Sequence, residues 1–125
     1  MANSSHKGSC LCGQVTYEVT GELRDVVGCH CQQCRKTTGH IMAATAAKLA
    51  NFDITRDDGL ARYRSSQTAE RGFCRTCGST LFWWRDGKDY VAIAAGSLDG
   101  PTGLKIAGHI FCADKGDYYE ILDGS

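Results

Sequence analysis

Seven of the eight cysteines fall into three tight groups, and their spacing limits the fold more than any other feature. The groups are Cys10-x-Cys12, Cys29-x-Cys31-x-x-Cys34 and Cys74-x-x-Cys77, and Cys112 stands alone. A disulfide within Cys-x-Cys would be badly strained. The stretch Met1–Gly8 is polar and lacks the apolar core of a signal peptide, and no apolar run approaches the ~20 residues of a membrane span. A cytoplasmic, reducing location is therefore expected, where disulfides are rare. Unbonded core cysteine explains one or two thiols, not groups at this spacing. Thiolates held this close repel one another unless a cation sits among them, and a soft thiolate set favours zinc.

A closed zinc site takes four ligands and a reactive one keeps a position open. Cys10, Cys12, Cys74 and Cys77 make a closed set from two knuckles, Cys74-Arg75-Thr76-Cys77-Gly78 having the spacing and trailing glycine that turn backbone N–H groups toward sulfur. That leaves Cys29, Cys31 and Cys34 for a second, open site. The reverse division, with two of the middle cysteines completing the Cys74/Cys77 site, is not excluded by spacing.

A chain of 125 residues suits one domain, with residues 1–8 expected as a flexible lead-in and 9–123 as a single zinc-binding unit. Lys plus Arg and Asp plus Glu number 14 each, so nothing in the charge balance suggests nucleic acid. Nothing indicates an oligomeric state.

Fifteen glycines and one proline, spread throughout, fit tight turns between short strands. Val15–Val19 alternates as a half-buried strand does, and a weaker strand is expected over Arg24–Cys29. Gln32–Thr37 reads as a short helix ended by Gly39, and Ile41–Ala46 fits strand or helix, its shortness and the glycine before it favouring a strand. Phe52–Ile54 and Leu60–Arg64 look like two strands joined by the Asp57-Asp58-Gly59 turn. Thr80–Trp84 and Tyr90–Ala95 make a hairpin about Asp86-Gly87-Lys88. His109–Phe111 and Tyr118–Leu122 close a mainly β, mostly antiparallel domain, with Tyr17, Tyr63 and Phe82 as core aromatics.

Among other candidates, His30 lies between two cysteines, so its ring is expected to point away from a metal they share. It reads either as a surface histidine or as a group facing the metal's surroundings or a substrate. His40 and His109 read as structural, though either could reach an open zinc site, and Cys112 as a buried or idle thiol in a strand-like segment. Arg35, Lys36, Arg71 and Arg75 lie near cysteines, where they can offset thiolate charge, bind an anion or simply be solvated.

Three stretches, Gly8–Tyr17, Cys29–Gly39 and Phe73–Leu81, together with Gly96-Ser97-Leu98-Asp99 and His109-Ile110, resemble the glutathione-dependent formaldehyde-activating enzyme (GFA) family, whose domain also occurs in centromere protein V. The resemblance covers about residues 8–123, although many members carry a tryptophan where this chain has Asp117-Tyr118. It implies an Mss4-like fold of layered antiparallel sheets with zinc knuckles and little helix. It also implies a structural zinc at Cys10, Cys12, Cys74 and Cys77 and a second, labile zinc at Cys29, Cys31 and Cys34. The activity implied is that of a carbon–sulfur lyase, adding glutathione or a similar small thiol to formaldehyde or another small aldehyde. The open zinc position would bind the thiol, His30 or a water would move the proton, and Arg35 or Lys36 would hold a glutathione carboxylate. Two rivals are a non-catalytic zinc module that binds a protein or carries a thiol, marked by an exposed Trp83–Trp84 patch, and a thiol redox or metal-buffer protein.

Overall fold

A computed structural model describes residues 5–122. Among the described residues, ten strands and one short α-helix follow in order: β1 (Ser5–Ser9), β2 (Val15–Thr20), β3 (Val26–Cys29), α1 (Gln32–Thr38), β4 (Met42–Lys48), β5 (Phe52–Asp57), β6 (Leu60–Arg64), β7 (Ala69–Cys74), β8 (Thr80–Arg85), β9 (Tyr90–Ala94) and β10 (Ile106–Ile110). Short 3₁₀ turns cover Leu49–Asn51, Ala95–Ser97 and Cys112–Asp114. The strands form a three-stranded sheet, ordered β1-β2-β5, and a seven-stranded sheet, ordered β10-β3-β4-β9-β8-β7-β6. This is the mainly β, layered architecture expected. No helix among the described residues is long and apolar enough to cross a membrane.

The two sheets pack through alternating side chains. In β2, Val15, Tyr17 and Val19 are buried, as their period of two requires. They meet Leu81, Phe82, Val91 and Ile93 from the larger sheet. Phe82 stands edge-on to both Tyr17 and Phe52, each at 5.2 Å between ring centroids. The Tyr17 hydroxyl lies 2.6 Å from Ser97 Oγ, so the one polar atom this ring brings inside is satisfied. Burial pushes the Tyr17 phenol up to about 12.

The larger sheet has two working faces. Thr45, Phe82 and Ile93 face the core, and Ala44, Ala92, Trp83 and Arg71 alternate onto the other side. Helix α1 lies toward that second side. Cys31 is its N-cap, with Sγ accepting the Cys34 N–H at 3.3 Å, and Gly39 ends it in the left-handed region (φ 87).

Several expectations are corrected. Residues 5–8, expected as lead-in, belong to edge strand β1, paired with β2 along its whole length; residues 1–4 lie outside the described residues. Strands β5 and β6 form as expected but do not pair with each other. β5 pairs with β2 and β6 with β7, and the chain changes sheet at Asp58-Gly59. The backbone there is taken by other partners: Gly59 N–H donates to Gln14 O, and Arg75 N–H donates to Gly59 O. β10 runs parallel to β3, an exception to the antiparallel rule. Residues 118–122 form no strand, and Cys112 opens a 3₁₀ turn rather than lying in a strand. Tyr63 is 61% exposed because β6 is the outer strand of its sheet.

Candidate metal centres

The first centre forms where two turns meet. The turn between β1 and β2 carries Cys10 and Cys12, and the turn between β7 and β8 carries Cys74 and Cys77. Both turns close on a left-handed glycine, Gly13 (φ 84) and Gly78 (φ 81), which only glycine adopts without strain. Gly13 N–H donates to Cys10 O at 3.3 Å, and Gly78 N–H donates to Cys74 O at 2.7 Å. Ser79 couples the two turns, its Oγ accepting the Leu11 N–H at 3.0 Å and lying 3.2 Å from Cys77 Sγ.

The four sulfurs all lie within 4.8 Å of one another, and both Cys10–Cys12 and Cys12–Cys74 are 3.7 Å apart. Four sulfurs about 2.3 Å from one zinc at tetrahedral angles would lie about 3.8 Å apart, so the group fits a zinc. Cys10 and Cys74 are buried in the main core cluster, so a metal here would brace the junction of the two sheets. Val15 N–H donates to Cys10 Sγ at 3.3 Å. The Ser79 hydroxyl, then backbone N–H groups of Ser79 and Cys12, hold the Cys77 thiol down to about 5. Such N–H groups favour the thiolate form that metal binding needs.

Gly59 lies against this centre. A Cβ there would stand 2.8 Å from Cys74 Sγ and 3.0 Å from Gln14 Cβ, and both neighbours are fixed. Gly59→Ala is therefore expected to lose about 1–3 kcal/mol of stability and to release zinc from this group more readily. Thermal unfolding with and without a chelator measures both effects.

The second centre is built from Cys29 at the end of β3 and from Cys31 and Cys34 at the start of α1. Their sulfurs also lie within 4.8 Å of one another. Three thiols leave one position of a tetrahedral ion open. Arg71 reaches across from β7. Its Nη2 donates to Cys34 Sγ at 3.4 Å and its Nε donates to Gln33 Oε1 at 2.8 Å. Its Nη1 is buried with no hydrogen-bond partner among the described residues. A guanidinium buried to this degree (7% exposed) requires a counter-charge, and the Cys34 sulfur is the one within reach. The hydrogen bond from Cys29, followed by Arg71, holds the Cys34 thiol down to about 5 against burial, which raises it. The same bond, with burial, pushes Cys29 up.

These thiols open onto a cavity of about 500 Å³ on the face of the larger sheet away from the core. Ala44 and Ala92 leave its volume free, Trp83 walls it, and Arg24, Arg71 and Arg85 line it. Ile110 and Phe111 are also in the lining, and Phe111 is held in the left-handed region (φ 56) with 60% of its surface exposed. A bulky residue in that conformation is rare and concentrates at functional rims.

The other sequence candidates divide sharply. His30 is not a surface residue: it is 1% exposed, and its ring nitrogens face Tyr119 and His109. It is absent from the cavity lining. Arg35 is half-buried with Nε lacking a hydrogen-bond partner, Lys36 is exposed, and neither lines the cavity. Arg75 donates to Asp58 O at 2.9 Å. Arg24 and Arg85 were given no role by sequence reasoning, and nothing local marks them: Arg85 reaches the cavity through the pairing of β8 with β7, and Arg24, just ahead of β3, lies across β4 with Nη2 donating to Ala44 O at 2.9 Å. Arg71 carries a weak signal, a charge in an otherwise buried stretch of strand ahead of Cys74.

Two thiol clusters joined to a layered β fold define a class of small proteins organised around soft-metal sites. The family model described as glutathione-dependent formaldehyde-activating enzyme matches residues 5–114, and the chain belongs to that family. A crystal structure of a Rhodobacter sphaeroides protein is similar at 31% identity and a TM-score of 0.66, covering 82% of this chain and 98% of that one. An uncharacterized lyase of Schizosaccharomyces pombe is 28% identical over 120 residues, which is 94% of this chain and 86% of that protein.

Proposed function

We propose that this protein holds zinc at both thiol groups and joins a small anionic thiol of the glutathione type to formaldehyde or another small aldehyde, as a carbon–sulfur lyase. The observation that carries this reading is the three-thiol group opening onto a cavity lined by three arginines. The family description and the lyase-named relative agree with it. Cys10, Cys12, Cys74 and Cys77 would be the structural ligands and Cys29, Cys31 and Cys34 the ligands of the reactive site.

Zinc bound at the second group would lower the pKa of a substrate thiol so that it is a thiolate at neutral pH. Arg71 offsets the negative charge of the cluster beside Cys34. Arg85 supplies a guanidinium group for a substrate carboxylate, the pairing that a glutathione-type thiol offers, and Arg24, whose Nε and Nη2 donate to Asp25 O and Ala44 O, adds positive charge beside it. Trp83 and the alanine floor exclude water from the apolar part of the substrate. The substrate thiol gives its proton to water, its sulfur adds to the aldehyde carbon, the carbonyl π pair moves to oxygen, and that oxygen takes a proton back from water, so no net proton is gained or lost. Uncatalysed addition is already easy, so holding the thiol in place supplies much of the rate gain.

Calorimetry of glutathione against zinc-loaded protein, paired with its effect on formaldehyde exchange, tests the reading. The absence of both binding and acceleration would sink it. Arg85→Ala is expected to weaken glutathione binding by a factor of about 2–5, the range of an exposed ion pair. Lys36→Ala is expected to leave it unchanged, since Lys36 lies outside the cavity lining. The protein-binding alternative called for an exposed tryptophan patch. Instead, half-buried Trp83 walls the cavity and Trp84 packs on the core beneath Arg62.

A further inference from the structure

The short loop from the end of β3 at Cys29 to the N-cap of α1 at Cys31 has His30 between the two thiols. Both its ring nitrogens are engaged by residues far along the chain. Nδ1 lies 2.5 Å from Tyr119 Oη, and Nε2 lies 2.9 Å from His109 Nδ1. A neutral imidazole has one donor and one acceptor nitrogen, so a bond at each satisfies this ring in either tautomer.

Each partner is held in turn. His109 sits on β10 opposite Gly28, and a Cβ at Gly28 would stand 2.9 Å from His109 Nδ1, so the glycine makes room for the imidazole. The loop backbone is tied to the same strand, His30 N–H donating to Ile110 O at 3.0 Å. Tyr119 stands edge-on to the His40 ring at 4.6 Å, and Lys115 Nζ donates to its carbonyl and lies 4.9 Å from its ring centroid. The His30 ring faces away from the cavity, so it does not touch a substrate held there. What it can do is fix the loop that carries two thiols.

We propose that Tyr119 and His109 are positioning residues for the three-thiol group. Acting through the His30 ring, they hold Cys29 and Cys31 at the spacing at which they meet Cys34. The inference needs the metal reading above only for its zinc measurement, because the thiols are positioned whether or not an ion sits among them.

Tyr119→Phe keeps the ring contacts with His40 and Lys115 and removes only the hydroxyl. Tyr118→Phe is the control, since its hydroxyl bonds the exposed His40 at 2.8 Å. The protein as purified is treated with iodoacetamide, and the alkylation rate of each cysteine is read by mass spectrometry. In Tyr119→Phe, Cys29, Cys31 and Cys34 are expected to react faster by a factor of about 2–10, the scale on which loss of one hydrogen bond acts. Cys10, Cys12, Cys74 and Cys77 are expected to keep their rates, and Tyr118→Phe to match the wild type. His109→Leu, which removes the other ring bond, gives the same selective pattern and serves if Tyr119→Phe does not fold. With a chelator, only the second zinc leaves faster.

Unchanged rates at the three thiols overturn the proposal. So does acceleration of all seven alike, which marks general loosening, or an equal effect of Tyr118→Phe, which marks simple docking of the segment. If the wild type carries a single zinc held by the four-cysteine group, the metal reading fails while the alkylation pattern still decides this one.

Discussion

Cys77→Ser is expected to leave a protein that unfolds or aggregates and holds no zinc at the four-cysteine group. A serine hydroxyl stays protonated at neutral pH and is a poor ligand for a soft site. The loss also leaves Cys10, Cys12 and Cys74 within 4.8 Å of one another with their charge unbalanced. Structural zinc supplies on the order of 10–16 kcal/mol of apparent binding free energy, against about 5–15 kcal/mol for the whole stability of a domain. The location sharpens the expectation. Cys74 is 0% exposed and Cys10 is 3% exposed, and both belong to the same core cluster as Tyr17 and Phe82. The site also joins the turn of the small sheet to a turn of the large one, with the Gly59 crossing wedged beside it. Circular dichroism, soluble yield and zinc content measure the outcome. A soluble Cys77→Ser protein with a wild-type unfolding temperature would mean that strand pairing alone holds the sheets together.

What the sequence made legible is what rests on local pattern. The alternation of Val15, Tyr17 and Val19 named β2 and its buried face. Gly39 marked the end of α1, and the cysteine spacings singled out the seven thiols that the fold brings into two groups. Which thiols share a group was not settled by spacing. It depends on the β1–β2 and β7–β8 turns meeting, a contact between residues 62 apart at Cys12 and Cys74. Sheet membership was illegible for the same reason. Alternation in Phe52–Asp57 and Leu60–Arg64 says strand but not which partner, and a tight turn between two strands suggests a hairpin where the chain instead changes sheets. Tyr63 followed from that error, because a tyrosine counts as core only if its strand is covered. The cavity was hidden because its volume comes from alanines at 44 and 92 that become neighbours only through β4 and β9. The two readings of His30, a surface histidine or a group facing the metal's surroundings or a substrate, stayed open because both of its ring partners lie about 80 or more residues away.

Cys31→Ser is expected to separate metal from fold at the second centre. Cys31 Sγ has two tasks, since it belongs to the three-thiol group and accepts the Cys34 N–H as the N-cap of α1. Serine keeps the second task, being among the best N-cap residues, and loses the first. The helix should therefore stay, and with it the packing of Cys34, Met42 and Ala44, which form a small cluster apart from the main core. The expected protein is soluble, with its strands intact, about one zinc fewer than the two the wild type would hold, and no calorimetric signal for glutathione. The unfolding temperature should shift by only a few degrees, the effect of roughly 1 kcal/mol in a domain of this size. Zinc content by elemental analysis, set beside thermal unfolding and glutathione titration of the same preparations, checks all three. A Cys31→Ser protein that unfolds as Cys77→Ser does would make the three-thiol group a structural element. One that retains both zincs would take Cys31 out of the ligand set and leave Cys29 and Cys34 as the thiols of that group able to hold the second ion.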